Sequence, residues 1–116
     1  MVTLSPQVNT NKIEQYLRKV RKKYRLKTAY LFGSQVTGKA HEWSDIDILL
    51  ISPDFAGNRV DIRVELMGLA RDIDDRIEPH PISPEEFELS NPLAAEVMRT
   101  GIEIGSNLHK TSRMIQ

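Results

Sequence analysis

Gly33-Ser34-Gln35-Val36-Thr37-Gly38-Lys39-Ala40-His41-Glu42-Trp43-Ser44-Asp45-Ile46-Asp47 is the stretch on which the reading of this chain turns. It lies between two apolar runs, Tyr30-Leu31-Phe32 and Ile48-Leu49-Leu50-Ile51. Runs of that length and bulk read as buried strands. Gly33-Ser34 stops the first strand and opens a turn with a short helical piece. Gly38 to Trp43 reads as an irregular loop. Asp45 to Ile51 reads as the second strand, with Ile46, Ile48 and Leu50 on one face and Asp45, Asp47, Leu49 and Ile51 on the other.

The period of a strand places Asp45 and Asp47 on the same face, with Cα atoms about 6.5 Å apart. Two like charges beside an apolar run repel unless a positive group lies between them. A divalent cation fits, and Mg²⁺ takes oxygen ligands from one or two carboxylates plus substrate phosphates. Gly33 lets backbone N–H groups approach a ligand closely. A helix starting at Ser34 would point its N-terminus and hydroxyl at a phosphate. The segment is not a Walker A loop, because the Gly-Lys-Ser/Thr ending is missing.

The rest of the chain supplies a small α/β frame. Ile13, Leu17, Val20 and Tyr24 recur at helical spacing after an expected cap at Asn11, with Glu14 three residues on. Leu26 to Phe32 is the first strand. Val60 to about Asp74 is a second long helix with an apolar stripe of Ile62, Leu66, Leu69 and Ile73, broadened by Val64 and Met67. Arg76 to Ile82 is a third strand, and Pro79 and Pro81 assign it to a sheet edge. Ser83-Pro84-Glu85-Glu86 and Asn91-Pro92 are both helix starts. Leu93, Val97 and Met98 follow, Gly101 stands at the C-cap, and Ile102-Glu103-Ile104 is a short last strand. The expected order is α-β-α-β-α-β-α-α-β, a compact α/β (α+β) domain on a small sheet. Residues 1–105 read as one domain and 106–116 as a polar tail.

Composition narrows the class. The chain has 116 residues, room for one domain but not for a second that binds an acceptor. It has no cysteine, which removes disulfides, thiolate metal sites and a cysteine nucleophile. Sixteen basic residues balance sixteen acidic ones, so bulk charge gives no case for a general nucleic-acid binder. Half of the basic residues lie between Lys12 and Lys27, which reads as a solvated helix face. No apolar run has the length of a membrane span, and Met1 to Pro6 does not read as a secretory signal. The expected location is cytoplasmic.

Leu31-Phe32-Gly33-Ser34, ten residues, then Asp45-Ile46-Asp47 resembles the signature of the DNA polymerase β-like nucleotidyltransferase superfamily. Length and single-domain layout resemble its minimal nucleotidyltransferase branch. Proteins of that branch are commonly paired with a HEPN-domain toxin in prokaryotic toxin–antitoxin systems. The resemblance implies a polymerase β-like fold with a small mixed sheet flanked by helices, and a third carboxylate on a later strand, for which Glu78 is the candidate. It implies transfer of AMP from ATP to a hydroxyl of the HEPN partner, with loss of pyrophosphate. Asp45, Asp47 and Glu78 would be the catalytic and metal-binding residues for two Mg²⁺ ions. Gly33 and Ser34 would hold the β- and γ-phosphates. Adding AMP near the toxin's active site would bring bulk and negative charge that block it, as expected of a type VII-like antitoxin.

Two other functions compete with protein adenylylation. One is a non-catalytic antitoxin that neutralises its partner by binding. The other is a small-molecule nucleotidyltransferase, whose acceptor pocket a homodimer could build. A DNA template is not expected at this length. Beside these readings stand plainer ones. His80 shares a face with Glu78 but reads as a surface residue. Trp43 reads as packing the loop against the domain. Arg59, Arg63 and Lys39 read as solvated, and Asp72, Asp74 and Asp75 as a helix end facing water.

Overall fold

Alternation along β2 (Ile46–Ile51) sends apolar side chains to both sides of the sheet, and each side needs a cover. The computed structural model describes residues 8–104. The tail assigned to 106–116 and the N-terminal Met1 to Pro6 lie outside these residues. The elements are α1 (Thr10–Lys23), β1 (Thr28–Phe32), α2 (Ser34–Thr37), β2, α3 (Arg59–Ala70), β3 (Ile77–Ile82), α4 (Pro92–Thr100) and β4 (Ile102–Ile104). They form one four-stranded sheet in the order β3-β2-β1-β4. β1 runs antiparallel to both β2 and β4, whereas β2 and β3 are parallel. This is the mixed sheet that the resemblance implies. None of the helices described is long and apolar enough to cross a membrane.

One face carries the larger core. Ala29, Leu31, Ile46, Ile48 and Leu50 meet Ile13, Tyr16, Leu17 and Val20 of α1 and Leu66 and Ala70 of α3. Each leucine, isoleucine or valine among them contributes roughly 1.5–3 kcal/mol on burial. The Tyr16 hydroxyl donates to the Leu66 carbonyl at 3.0 Å, tying α1 to α3. Burial holds that phenol neutral by raising its pKa. The other face is smaller. Phe32, Leu49, Ile51 and Ile82 pack with Val97 of α4, and Tyr30, Phe87 and Leu93 close its rim.

Several boundaries differ from expectation. The cap of α1 is Asn9, whose Oδ1 accepts from the N–H groups of Asn11 and Lys12 at 3.0 and 3.2 Å. Asn11 is therefore inside the helix. The helix start at Ser83 becomes a single 3-10 turn, Pro84–Glu86, although its capping box forms. A second 3-10 turn, Pro53–Ala56, falls in the predicted loop and buries Phe55. Val64 and Met67 do not broaden the buried stripe of α3. They are 63% and 43% exposed, because α3 packs only through the Ile62-Leu66-Leu69-Ile73 side. Met98 is likewise exposed.

Gly101 closes α4 with extended backbone rather than a left-handed residue. A Cβ there would stand 2.6 Å from the Val97 carbonyl oxygen, so close approach is what requires glycine. The edge assignment of β3 holds, and the hydrogen bonds explain it. Ile46 N–H donates to Arg76 and Ser52 N–H to Ile82, so the even-numbered residues of β3 face β2. Pro79 and Pro81 have their nitrogens toward the open side, where no donor is needed.

Candidate active site

Strand register brings the predicted acids together. Asp47 is opposite Phe32 on β1 and opposite Glu78 on β3. Asp47 and Glu78 therefore project from adjacent strands on the smaller-core face, with Cα atoms about 4.8 Å apart. Asp45 stands one residue before β2 begins and is exposed. It is fixed from below by Gln35 of α2, which is fully buried. The Gln35 amide donates to the carbonyls of Ser44 and Asp45 at 3.4 and 3.0 Å.

Gly33 makes the turn that opens α2, with φ +78°. Its carbonyl accepts from the Val36 and Thr37 N–H groups. A Cβ at this position would lie 2.6 Å from Asp47 Oδ2. Gly33 thus meets two requirements, a left-handed backbone and room for the carboxylate. The Gly33-Ser34 turn and the Asp47 carboxylate are direct neighbours, although fourteen positions separate Gly33 from Asp47 in sequence.

Both acids of the row already have positive or polar neighbours. His80 Nε2–H donates to Asp47 Oδ1 at 3.0 Å, and its ring meets Phe32 edge-on at 5.1 Å. His80 is therefore part of the site rather than a solvated surface residue. Arg63 reaches across from α3 and pairs with Glu78. Arg59, one turn earlier, pairs with Glu86 and donates to the Phe55 carbonyl at 2.6 Å. Neither arginine is simply solvated. Burial pushes the Glu86 carboxyl up, but the Ser83 N–H, Arg59 and the Ser83 hydroxyl outweigh it and leave it below its ordinary value. Arg59, Arg63, His80, Glu86, Asn91 and Leu93 line a groove of about 320 Å³ beside the carboxylate row.

Two further expectations need correction. Asp74 does not face water. Its carboxylate is 7% exposed and binds Arg76, whose guanidinium holds it below the usual carboxylate range. Arg76 also donates to the Glu42 carbonyl at 3.1 Å, so this pair anchors the loop that leads to Asp45. Trp43 does not pack that loop. Its side chain is 77% exposed.

Gln35 and Arg76 are positioning residues that no local pattern announces. Arg63 had one available signal, a place next to Ile62 on the flank of the α3 stripe.

The acids fit a divalent cation by donor chemistry. Asp45, Asp47 and Glu78 offer only carboxylate oxygens, the ligands that hard cations prefer. The glycine cradle keeps Asp47 clear of a side chain that would fill its space. Among the described residues, no three ligand-type side chains are drawn together at metal-binding distance. Glu78 is engaged by Arg63 and Asp47 by His80.

The Gly33-Ser34 turn abuts one member of the Asp45-Asp47 pair, and Glu78 stands in register with that member on the next strand. Residues 13–98 match the family described as nucleotidyltransferase domain. The chain belongs to that family and is a nucleotidyltransferase.

Its relatives sharpen the class. MJ1305 of Methanocaldococcus jannaschii, named as a candidate protein adenylyltransferase, is 30% identical over 102 residues, covering 81% of this chain and 69% of its own. A toxin–antitoxin crystallised with AMP-PNP is 31% identical, with a TM-score of 0.64 over 85% of this chain and 74% of that one. The MntA–HepT toxin–antitoxin is 28% identical, with a TM-score of 0.57 over 90% and 75%.

Proposed function

We propose that this nucleotidyltransferase moves AMP from ATP to a hydroxyl of a partner protein and is the antitoxin of a toxin–antitoxin pair whose toxin is a HEPN-domain protein. The observation that carries the reading is the register of Asp47 with Glu78 beside the Gly33-Ser34 turn. The named similarity to a protein adenylyltransferase and to a toxin–antitoxin solved with AMP-PNP supports adenylyl transfer to protein. One MntA–HpeT mutant carries two aspartate-to-glutamate changes spaced two positions apart, the spacing of Asp45 and Asp47.

Asp45, Asp47 and Glu78 would hold two Mg²⁺ ions, which when bound neutralise the phosphates and ease ionisation of the attacking hydroxyl. The residues of the chain do the rest. The Gly33-Ser34 turn holds the β- and γ-phosphates. Gln35 and the Asp74–Arg76 pair keep Asp45 in place. Glu78 takes the proton of the incoming hydroxyl. The hydroxyl oxygen bonds to the α-phosphorus, and the bond from that phosphorus to pyrophosphate breaks. Positioning and charge neutralisation supply most of the rate.

The test is intact-mass spectrometry of a partner that co-purifies with this chain, incubated with the chain, ATP and Mg²⁺. A parallel sample uses Asp47→Asn. The expected result is a gain of AMP mass on the partner with the unsubstituted chain alone. A stable complex and neutralised toxin without added mass in either sample would establish neutralisation by binding instead.

A further inference from the structure

Asp47 and Glu78 are register partners, so two carboxylates stand side by side on one sheet face. Carboxylates that close repel, and the pair needs positive charge nearby. The chain supplies a cation for one and a hydrogen-bond donor for the other. His80 donates to Asp47, and Arg63 pairs with Glu78. The two arginine pairs along α3 are built differently. Arg59 has a second anchor at the Phe55 carbonyl, and its Glu86 is also held by the Ser83 N–H and hydroxyl at 2.8 and 3.0 Å. That pair is locked into the capping box.

Arg63 has a looser hold. Its guanidinium meets Glu78 through Nη2, and its buried Nε has no hydrogen-bond partner among the described residues. A fork-to-fork pair would use both groups. The two side chains keep 41% and 32% of their surface exposed. A one-point pair at that exposure is worth little. The adjoining groove of about 320 Å³ gives the guanidinium room to move away.

We propose that Arg63 is a resident counter-ion for Glu78, holding the carboxylate in the unloaded enzyme and surrendering it when a divalent cation binds. The inference rests on the reading of Glu78 as a metal ligand. Arg63 is then a positioning residue. It keeps Glu78 on the sheet face before loading and sets a threshold for occupancy by the metal.

The test is Mn²⁺ binding to the full chain without nucleotide, by titration calorimetry. The four proteins are the unsubstituted chain, Arg63→Ala, Glu78→Gln and the double variant. Removing Arg63 should tighten Mn²⁺ binding about fivefold, the order of a part-exposed ion pair. In the Glu78→Gln background it should do nothing, because the arginine acts through that carboxylate. A fifth protein, Arg63→Lys, should fall between the unsubstituted chain and Arg63→Ala, keeping the charge but losing the planar donor.

Equal tightening in both backgrounds would overturn the proposal, since the effect would then be the general field of one lost charge. So would no tightening at all while Glu78→Gln alone weakens binding. That outcome leaves the Glu78 assignment standing. Unchanged affinity in Glu78→Gln would overturn the assignment itself, and with it the counter-ion role. Absence of Mn²⁺ binding in all four proteins would overturn both.

Discussion

Along β2, Ile46, Ile48 and Leu50 point into the layer of α1 and α3, whereas Asp47, Leu49 and Ile51 point toward α4. The first face is a dry core reaching from α1 to α3. The second starts with a carboxylate that is 24% exposed and becomes apolar only two residues later. One strand therefore serves two purposes on a period of two. Charge is affordable on the second face because its smaller cluster, Phe32, Leu49, Ile51, Ile82 and Val97, leaves the Asp47 carboxylate part-exposed.

If the two faces are separable, neighbouring substitutions on β2 should have opposite signatures. Asp47→Asn should cut nucleotidyl transfer roughly a thousandfold, the scale of losing a principal electrostatic group. Its melting temperature should stay within a few degrees of the parent, measured by thermal denaturation. Ile48→Ala, next door, should cost about 3 kcal/mol in a urea titration through its cavity in the larger core. The fraction that remains folded should keep near-normal turnover. A large stability loss in Asp47→Asn would dissolve the contrast.

Gly33→Ala joins the two effects. The added methyl meets Asp47 Oδ2 at 2.6 Å, and the backbone is left-handed. We expect a loss of about 1–2 kcal/mol, with a fall in transfer rate larger than that loss explains. Denaturation and kinetics on the same sample would check it. Gln35→Leu refines the point. It removes the bonds to Ser44 and Asp45 but also a buried carbonyl oxygen with no partner among the described residues. Stability should change by less than about 1 kcal/mol while transfer falls about tenfold, because Asp45 loses its support. A near-normal rate would mean the loop holds Asp45 unaided.

The smallest effect concerns acid. The Arg76 guanidinium lowers the Asp74 carboxyl below its unfolded value. Its stabilisation is complete above the unfolded pKa of about 3.9 and is lost as pH falls through the lower folded value. Asp74→Asn should remove about 1 kcal/mol near neutral pH and nothing at pH below both values. Denaturant midpoints across pH 2–7 would show the two curves converging at the acid end.

Much of this site was readable in one dimension. The glycine-serine turn, the Asp45-Ile46-Asp47 pair and the edge prolines Pro79 and Pro81 are local signals, set by backbone conformation and side-chain alternation. The helix ends were less readable. Asn9 and Asn11 are both good caps, and only the observed hydrogen bonds choose Asn9. Ser83 carries every sign of a helix start, yet just one 3-10 turn follows. Val64 and Met67 fit the helical period, but no element covers them.

The four strands, the long helices and the Asp45-Asp47 pair follow from the amino-acid sequence, because period and turn chemistry act over a few residues. The neighbour of each acid does not. Arg63 comes fifteen residues before Glu78 and meets it because α3 lies along β3. His80 comes thirty-three residues after Asp47 and meets it because the strands between them are parallel and in register. Charges pair through space, and only the packing of helix on sheet decides which cation faces which carboxylate.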